Sequence, residues 1–260
     1  MQAFLNIMLV FRRDNKVKGQ PYYLAYESRY KTVFEAGVER WGHSPDDQEL
    51  YITLKDWVID NKLTGKNIIE FACGEGASGV ILSELGCHYY GVDIAPSAVI
   101  KARETLKNYP NAKVEILDMV KEATNGKYDA ALDCMGFHML VTDEDRKSYL
   151  KNAFLSLKRN SPMLFYKESY RNDSSIIRST VHSYDEWLKI TGSDYETPSV
   201  RRVMGSGDIE VMIPYVPTRA NDKDGYIKEM EWAGFTVEKF IEMDSSSSIQ
   251  YSASIYVRKP

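Results

Sequence analysis

The sequence predicts a doubly wound α/β fold, and three observations carry that prediction. Short apolar runs alternate with helical patterns along most of the 260 residues. One of those runs, Ile68-Ile69-Glu70-Phe71-Ala72, passes straight into a glycine-rich turn and then into a helix. The last two apolar runs follow one another with no helix between them, as an antiparallel pair would. A chain of this length buries a large core, and doubly wound domains of this size often stand as single units. The expected organisation is N-terminal helices over 1–65, sharing in a cap, and a core over 66–260 with a cap insertion at about 169–221.

Taken in order, Met1 to Phe11 is apolar but too short to span a bilayer. It has no basic region before it and no small-residue cleavage site after it. Phe4, Ile7, Met8 and Phe11 share one helical face, so this segment is expected to pack on the domain or on a second subunit, giving a homo-oligomer. Tyr30–Trp41 and Asp46–Lys62 read as helices, the second opened by Ser44-Pro45 and closed near Gly65. Ile68–Ala72 is the first strand and Ala77–Leu85 the first core helix. Between them Gly74, Gly76 and Gly79 are expected to let backbone approach a ligand, where a Cβ would collide. His88–Asp93 is the second strand, and Ala95-Pro96-Ser97 opens a helix with proline in its tolerated first turn. Lys113–Asp118 and Lys127–Cys134 are strands three and four. Thr142 starts a helix whose Tyr149, Leu150, Ala153, Phe154 and Leu157 form one apolar face. Ser161–Glu168 is strand five. From Ser169 to about Asn221 the alternation stops; Arg201 to Pro217 within it reads as a lid or as a surface excursion. Asp222–Ala233 is a helix, and Gly234–Glu242 and Gln250–Val257 close the chain as two strands joined by a turn at Ser245–Ser248.

The three glycines satisfy the dinucleotide spacing G-x-G-x-x-G, so the turn alone also allows an NAD(P)-binding oxidoreductase. Glu70 argues the other way. A carboxylate at the end of the first strand faces a pyrophosphate unfavourably and an ammonium well. Asp93, ending the second strand, suits a ribose diol through charge-assisted hydrogen bonds, and both cofactor types carry one. Nor is there much chain left for the substrate domain a dehydrogenase needs.

With Glu70-x-Ala72-x-Gly74-x-Gly76 in view, the chain resembles the class I S-adenosylmethionine-dependent methyltransferases of small-molecule type, over roughly Ile68 to Val257. Ala72 stands where that family usually has its first glycine. The resemblance implies a Rossmann-like sheet of about seven strands with the last strand antiparallel, and S-adenosyl-L-methionine as cofactor. It implies cofactor contacts from Glu70, Ala72, Cys73, Gly74 and Gly76, from Asp93 and Ile94 at the ribose, and from Asp118 and Met119 at the adenine. Asp118 read by itself is equally a solvated helix cap. Asp133 joins this set, either orienting ligand or capping its own turn. Tyr22 and Tyr30, with Tyr23 and Tyr26, form an aromatic cluster that related enzymes place near the donor's carboxylate and over the methyl group; core packing of an N-terminal helix is the alternative.

The acceptor is argued mainly by exclusion. A formal charge of −4 with scattered Lys and Arg gives no basic footprint for a nucleic-acid partner. Cys73, Cys87 and Cys134, with His43, His88, His138 and His182, show no metal-ligand spacing, so no metal is expected. The cysteines read as reduced thiols, hence a cytoplasmic protein. Asp133-Cys-Met-Gly-Phe-His138 lacks the Asn/Asp-Pro-Pro-aromatic motif of enzymes acting on base or glutamine amides, and no Pro-Cys nucleophile pair is present. N, O or S of a small molecule remains as the methyl acceptor. His138 lies at the ligand edge with a pKa suited to a general base; a histidine hydrogen-bonded into a helix start is the other reading. Tyr26 is the second catalytic candidate. Of Lys167, Glu168, Tyr170 and Arg171, Glu168 or Tyr170 is favoured as a substrate contact. A methyltransferase fold kept as a non-catalytic binding module stays open.

Overall fold

The computed structural model describes residues 22–172, 185, 198–204, 208–214, 218–243, 247 and 251–260. Its strands are β1 (Asn67–Phe71), β2 (His88–Asp93), β3 (Ala112–Ile116), β4 (Ala130–Cys134), β5 (Pro162–Ser169), β6 (Pro198–Met204), β7 (Asp208–Pro214), β8 (Thr236–Glu242) and β9 (Ser252–Arg258). Seven of them form one sheet in the order β3-β2-β1-β4-β5-β9-β8, and β6 pairs with β7 apart from it. The first five run parallel, and β9 runs antiparallel to both β5 and β8. This is the expected Rossmann-like sheet, with the last strand slotted between β5 and β8.

Burial on both faces explains why the central strands read as near-continuous apolar runs. Ile69, Phe71, Ala131 and Phe165 pack with Tyr149, Leu150 and Ala153 of α5 (Asp143–Ser156) and with Tyr226 and Met230 of α6 (Lys223–Trp232). Ile68, Leu132, Leu164 and Tyr166 pack with residues of α2 (Gln48–Asp60), α3 (Ala77–Glu84) and α4 (Pro96–Thr105). Thr142 caps α5 as read from sequence, its hydroxyl accepting the Asp145 N–H at 3.1 Å.

Several boundaries differ from expectation for local reasons. α1 spans Ala25–Glu35, not Tyr30–Trp41, and Gly37 at φ +83° turns the chain away just after it. α2 opens at Asp47, whose carboxylate accepts the N–H groups of Glu49 and Leu50; Ser44-Pro45 lies in the turn before. Leu50, Leu54 and Trp57 of α2 sit in the sheet core, so this helix is a layer of the sandwich and not part of a cap. β3 ends at Ile116, leaving Asp118 in the following turn, and β4 begins at Ala130 rather than Lys127.

The segment expected as a cap contains the β6–β7 hairpin. Val211 and Ile213 of β7 are buried against Val33 of α1 and Val38 just beyond it. The apolar face of Phe4, Ile7, Met8 and Phe11 lies outside the described residues, as does most of the Ser245–Ser248 turn. Among the described residues no helix is long and apolar enough to cross a membrane.

Candidate active site

Strand order reverses between β1 and β4, so the crevice above their carboxyl ends is the topological switch point, where sheets of this kind bind ligands. After β1 the chain bends through left-handed residues: Ala72 and Gly74 at φ +51° and Gly76 at φ +81°. Gly74 donates its N–H to Asp93 Oδ2 at 2.8 Å, and Ala95 donates to Oδ1 at 2.9 Å. Asp93 thereby ties the loops after β1 and β2 together. A Cβ on Gly74 would lie 2.9 Å from the Tyr30 hydroxyl, in the crevice. The other two glycines face packed side chains. A Cβ on Gly76 would meet Leu106 and Ala102 at 3.1 and 3.3 Å, and one on Gly79 would meet the Tyr89 ring at 2.6 Å.

Carboxyl groups surround this turn. Glu70 is buried, with the Tyr89 and Ser78 hydroxyls on its oxygens, and burial pushes its pKa up to about 8. Its oxygens are therefore engaged by the protein and do not present a bare carboxylate to the crevice. Glu75 Oε1 accepts the N–H groups of Trp41 and Gly42 at 2.7 and 2.8 Å, fastening the loop after α1 to the turn. Burial, and after it the charges of Asp93 and Glu70, pushes the Cys73 thiol well up, so it stays protonated.

The segment over 22–30 runs across the whole carboxyl edge. Tyr22 accepts the Val141 N–H at 2.6 Å, and Tyr23 donates to Asp118 at 3.2 Å. Tyr26 donates to the Met139 thioether. Glu27 accepts from the Ser97 N–H and hydroxyl at 2.9 and 2.7 Å, satisfying the first turn of α4. Tyr30 sits over Gly74, with its ring edge-on to Trp41 at 5.1 Å between centroids. Every loop after β1, β2, β3 and β4 is thus touched from one short stretch. Tyr22 and Tyr23 are buried in the core and their hydroxyls are committed, whereas Tyr26 and Tyr30 remain half-buried at the crevice.

Asp118 caps its own turn through Val120 and Lys121 and forms an ion pair with Lys121 at 3.0 Å. Ile94 and Met119 pack at the margin of the core beside it.

After β4, Asp133 is fully buried and accepts the Gly136 and Phe137 N–H groups at 2.6 and 3.1 Å, with Tyr149 donating to its second oxygen. It caps the 3-10 turn Phe137–Met139, and burial raises its pKa. Burial lifts Glu168 to about 7, and the Glu168 charge adds to the burial that raises Asp133. His138 Nδ1 lies 2.8 Å from Glu168 Oε2, and the His138 N–H donates to the same oxygen at 2.7 Å. Burial drives the imidazole pKa down to about 4. A base that weak holds a proton poorly near neutrality, and Arg219 further fixes its backbone by donating to His138 O at 2.8 Å. The geometry therefore corrects the general-base expectation: His138 is a core histidine that orders the turn. Glu168 is likewise fully buried behind it and Tyr170 buried at β5's end, neither open to a substrate.

Sequence reading passed over His43. Its Nδ1 lies 3.0 Å from Asp47 Oδ2 and its Nε2 3.2 Å from Met135 Sδ, immediately after β4. Nearby, Lys167 takes a left-handed φ of +54° at the β5 irregularity and reaches Glu49 at 2.6 Å. The clue in the sequence was a histidine four residues before an aspartate, masked by reading Ser44-Pro45 as a helix start. Among the described residues no cluster of His, Cys, Asp and Glu is placed to hold a metal ion.

Residues 68–160 match a family model described as a methyltransferase domain. The fold is shared with the S-adenosylmethionine-bound magnesium protoporphyrin IX methyltransferase of Synechocystis PCC 6803 (14% identity, 94% of this chain and 100% of that one, TM-score 0.62). It is shared equally with a methyltransferase from Streptomyces caelestis (13% identity, 90% and 98%, TM-score 0.62). An S-adenosylmethionine-dependent methyltransferase from Clostridium acetobutylicum aligns over 92% of this chain and 99% of its own at 14% identity and TM-score 0.57. A curated ribosomal protein methyltransferase of Psychrobacter cryohalolentis is 40% identical over 50 residues, 19% of this chain and 16% of its own length.

Proposed function

We propose that this chain, which carries the domain and fold of the class I S-adenosylmethionine-dependent methyltransferases, transfers a methyl group to N, O or S of a small-molecule acceptor. One observation supports the cofactor assignment above the others. The glycine turn at the switch point is flanked by Asp93 and by Glu75, whose buried Oε2 has no hydrogen-bond partner, and is roofed by Tyr30, a setting that suits a cationic sulfonium-ammonium ligand and disfavours a pyrophosphate. When bound, S-adenosylmethionine supplies an activated methyl group on sulfur.

The chain's own residues would bind and orient. Gly74 lies under the methionine portion, with Ala72 and Cys73 shaping the bend and Gly76 holding it against α4. Asp93, flanked by Ile94, takes the ribose hydroxyls. Asp118 and Met119 border the adenine, with Tyr23 steadying the Asp118 carboxylate. Tyr26 and Tyr30 close the crevice from above, and β7 buttresses α1 behind them. Excluding bulk water there keeps the reacting groups aligned and their electrostatics undiluted. Three free cysteines suit a reducing, cytoplasmic setting.

Calorimetric titration with S-adenosylmethionine, its demethylated product and NAD, followed by turnover on an amine, phenol and thiol panel, tests this reading. Binding of NAD in preference to the methyl donor would overturn it. Donor binding without turnover of any acceptor would favour the binding-module alternative.

A further inference from the structure

We propose that Glu75, set between two glycines of the turn after β1, binds the α-ammonium of the methyl donor through its Oε2. The donor's amino-acid end then lies toward β1 and β4, with its ribose and adenine toward β2 and β3. This rests on the methyltransferase reading of the crevice and adds the group that recognises the donor's charge.

Oε2 is a buried acceptor with nothing to accept. Glu75 is only 3% exposed, and its Oε2 has no hydrogen-bond partner. Oε1, by contrast, takes the N–H groups of Trp41 and Gly42 at 2.7 and 2.8 Å. Leaving such an oxygen unmatched is costly, so it marks where a donor group from a ligand or a water belongs. The Arg29 guanidinium, 4.8 Å from the Trp41 ring centre, gives it no hydrogen bond. The other carboxyls of the turn are occupied. Tyr89 and Ser78 hydroxyls hold Glu70, and a pKa raised by burial to about 8 leaves it largely protonated near neutrality. Asp93 accepts from Gly74 and Ala95.

Placement follows from what surrounds the residue. Tyr30 roofs the turn, its hydroxyl 2.9 Å from where a Gly74 Cβ would lie. Burial, and after it the charges of Asp93 and Glu75, hold that hydroxyl well above its ordinary pKa, so both carboxylates are felt beneath the roof. Asp93 reaches the turn from β2. Glu75 instead holds the loop that continues through His43 to Met135, just past β4. A sulfonium nucleoside carries its ribose hydroxyls and its ammonium on opposite sides of the sulfur. Hydroxyls at Asp93 therefore send the ammonium toward Glu75.

The chemistry selects the ligand. A primary ammonium brings three N–H donors and a full positive charge, and its contact with a carboxylate is charge-assisted. A pyrophosphate brings acceptors and negative charge, and would leave Oε2 unmatched.

Calorimetry of the full chain with two ligands tests this: S-adenosylhomocysteine and its analogue lacking the α-amino group. The wild type should bind the first about 10–100-fold more tightly, the usual worth of one charge-assisted contact. Glu75→Gln keeps a carbonyl for the Trp41 and Gly42 N–H groups and turns an amide NH2 toward the ammonium. It should lose about that factor on S-adenosylhomocysteine, bind the analogue within about threefold of wild type, and no longer distinguish the two. Hydrogen exchange at Trp41 and Gly42 should stay as slow as in the wild type. Discrimination retained by the variant overturns the assignment. A wild type that does not discriminate overturns it as well, since Oε2 then meets only a water. Equal loss on both ligands, with fast exchange at Trp41 and Gly42, would make Glu75 a tether of its loop alone and also overturns it. Failure of the wild type to bind either ligand would instead refute the methyltransferase reading, and this inference with it.

Discussion

The contact between Ala72 and Gly136 allows a quantitative test of how the two switch-point loops are held. Ala72 occupies φ +51°, where a Cβ crowds the following carbonyl at a cost of roughly 1–2 kcal/mol. Glycine removes that strain but gives the unfolded chain about 0.4–1 kcal/mol of extra freedom. Ala72→Gly should therefore stabilise the fold by about 0.5–1 kcal/mol. Gly136 is different: its φ of −95° suits any residue, so space alone demands glycine there. A Cβ on it would lie 2.6 Å from Ala72 Cβ and 2.8 Å from Asp133 Oδ1. Overpacking of this kind costs about 1–3 kcal/mol. In Ala72→Gly/Gly136→Ala the first clash is gone and the second remains. The double mutant should then be more stable than the sum of the singles by about 0.5–1.5 kcal/mol. Unfolding entropy near 2.1 cal/mol/K per residue gives about 0.5 kcal/mol/K for 260 residues, so 1 kcal/mol moves Tm by about 2 °C. Urea titrations with matched m values are the more sensitive assay. Additivity within about 0.3 kcal/mol would refute direct contact between the loops, and a destabilised Ala72→Gly would refute the strain.

Removing the Asp93 carboxylate in Asp93→Ala takes away charge-assisted bonds worth about 1.5–3 kcal/mol. Calorimetry should show methyl-donor affinity at least about tenfold weaker, with Asp118→Ala costing less; the reverse order would mean the ribose and adenine ends are exchanged. Glu70, with a folded pKa raised to about 8, binds its proton more tightly in the folded state, so its stabilisation is full below about pH 4.5 and is lost as pH rises through 8. Denaturation midpoints should fall from pH 6 to 9, with Glu168 adding to the same slope, and Glu70→Gln should flatten it; an unaltered slope would assign the effect elsewhere. Ile213→Asp places a charge at a fully buried position against Val33 and Val38. Hydrogen exchange in β6 and β7 should accelerate and donor affinity should drop several-fold as Tyr30 loses its support. Fast exchange with unchanged affinity would separate the hairpin from the cofactor site.

What the sequence disclosed, and what it hid, divides by the range of the interactions involved. Strand and helix order, the Thr142 cap, the Asp93 position and the glycine bend all follow from neighbours within a few residues, and each was legible. The roles of individual glycines were not, because Gly76 and Gly79 are dictated by α4 and by the Tyr89 ring, which folding brings to them. His138 carried every local mark of a catalytic base. Its burial depends on Glu168, 30 residues later, and on Arg219 from the far side of the insertion. His43 carried none of those marks, and its nearest thioether lies 92 residues away in Met135. The left-handed bend at Lys167 turns that ammonium to Glu49 while Glu168 faces Asp133, a split that an unbroken strand register could not produce. The α1 boundary fails for the same reason. The tyrosines over 22–30 read equally as core or as site, and the fold divides them, with Tyr22 and Tyr23 inside and Tyr26 and Tyr30 half-buried at the crevice. One short stretch that touches four loops couples its own docking to the order of the sheet's carboxyl edge. Weakening any one of these tethers should therefore loosen cofactor contacts on strands it never meets.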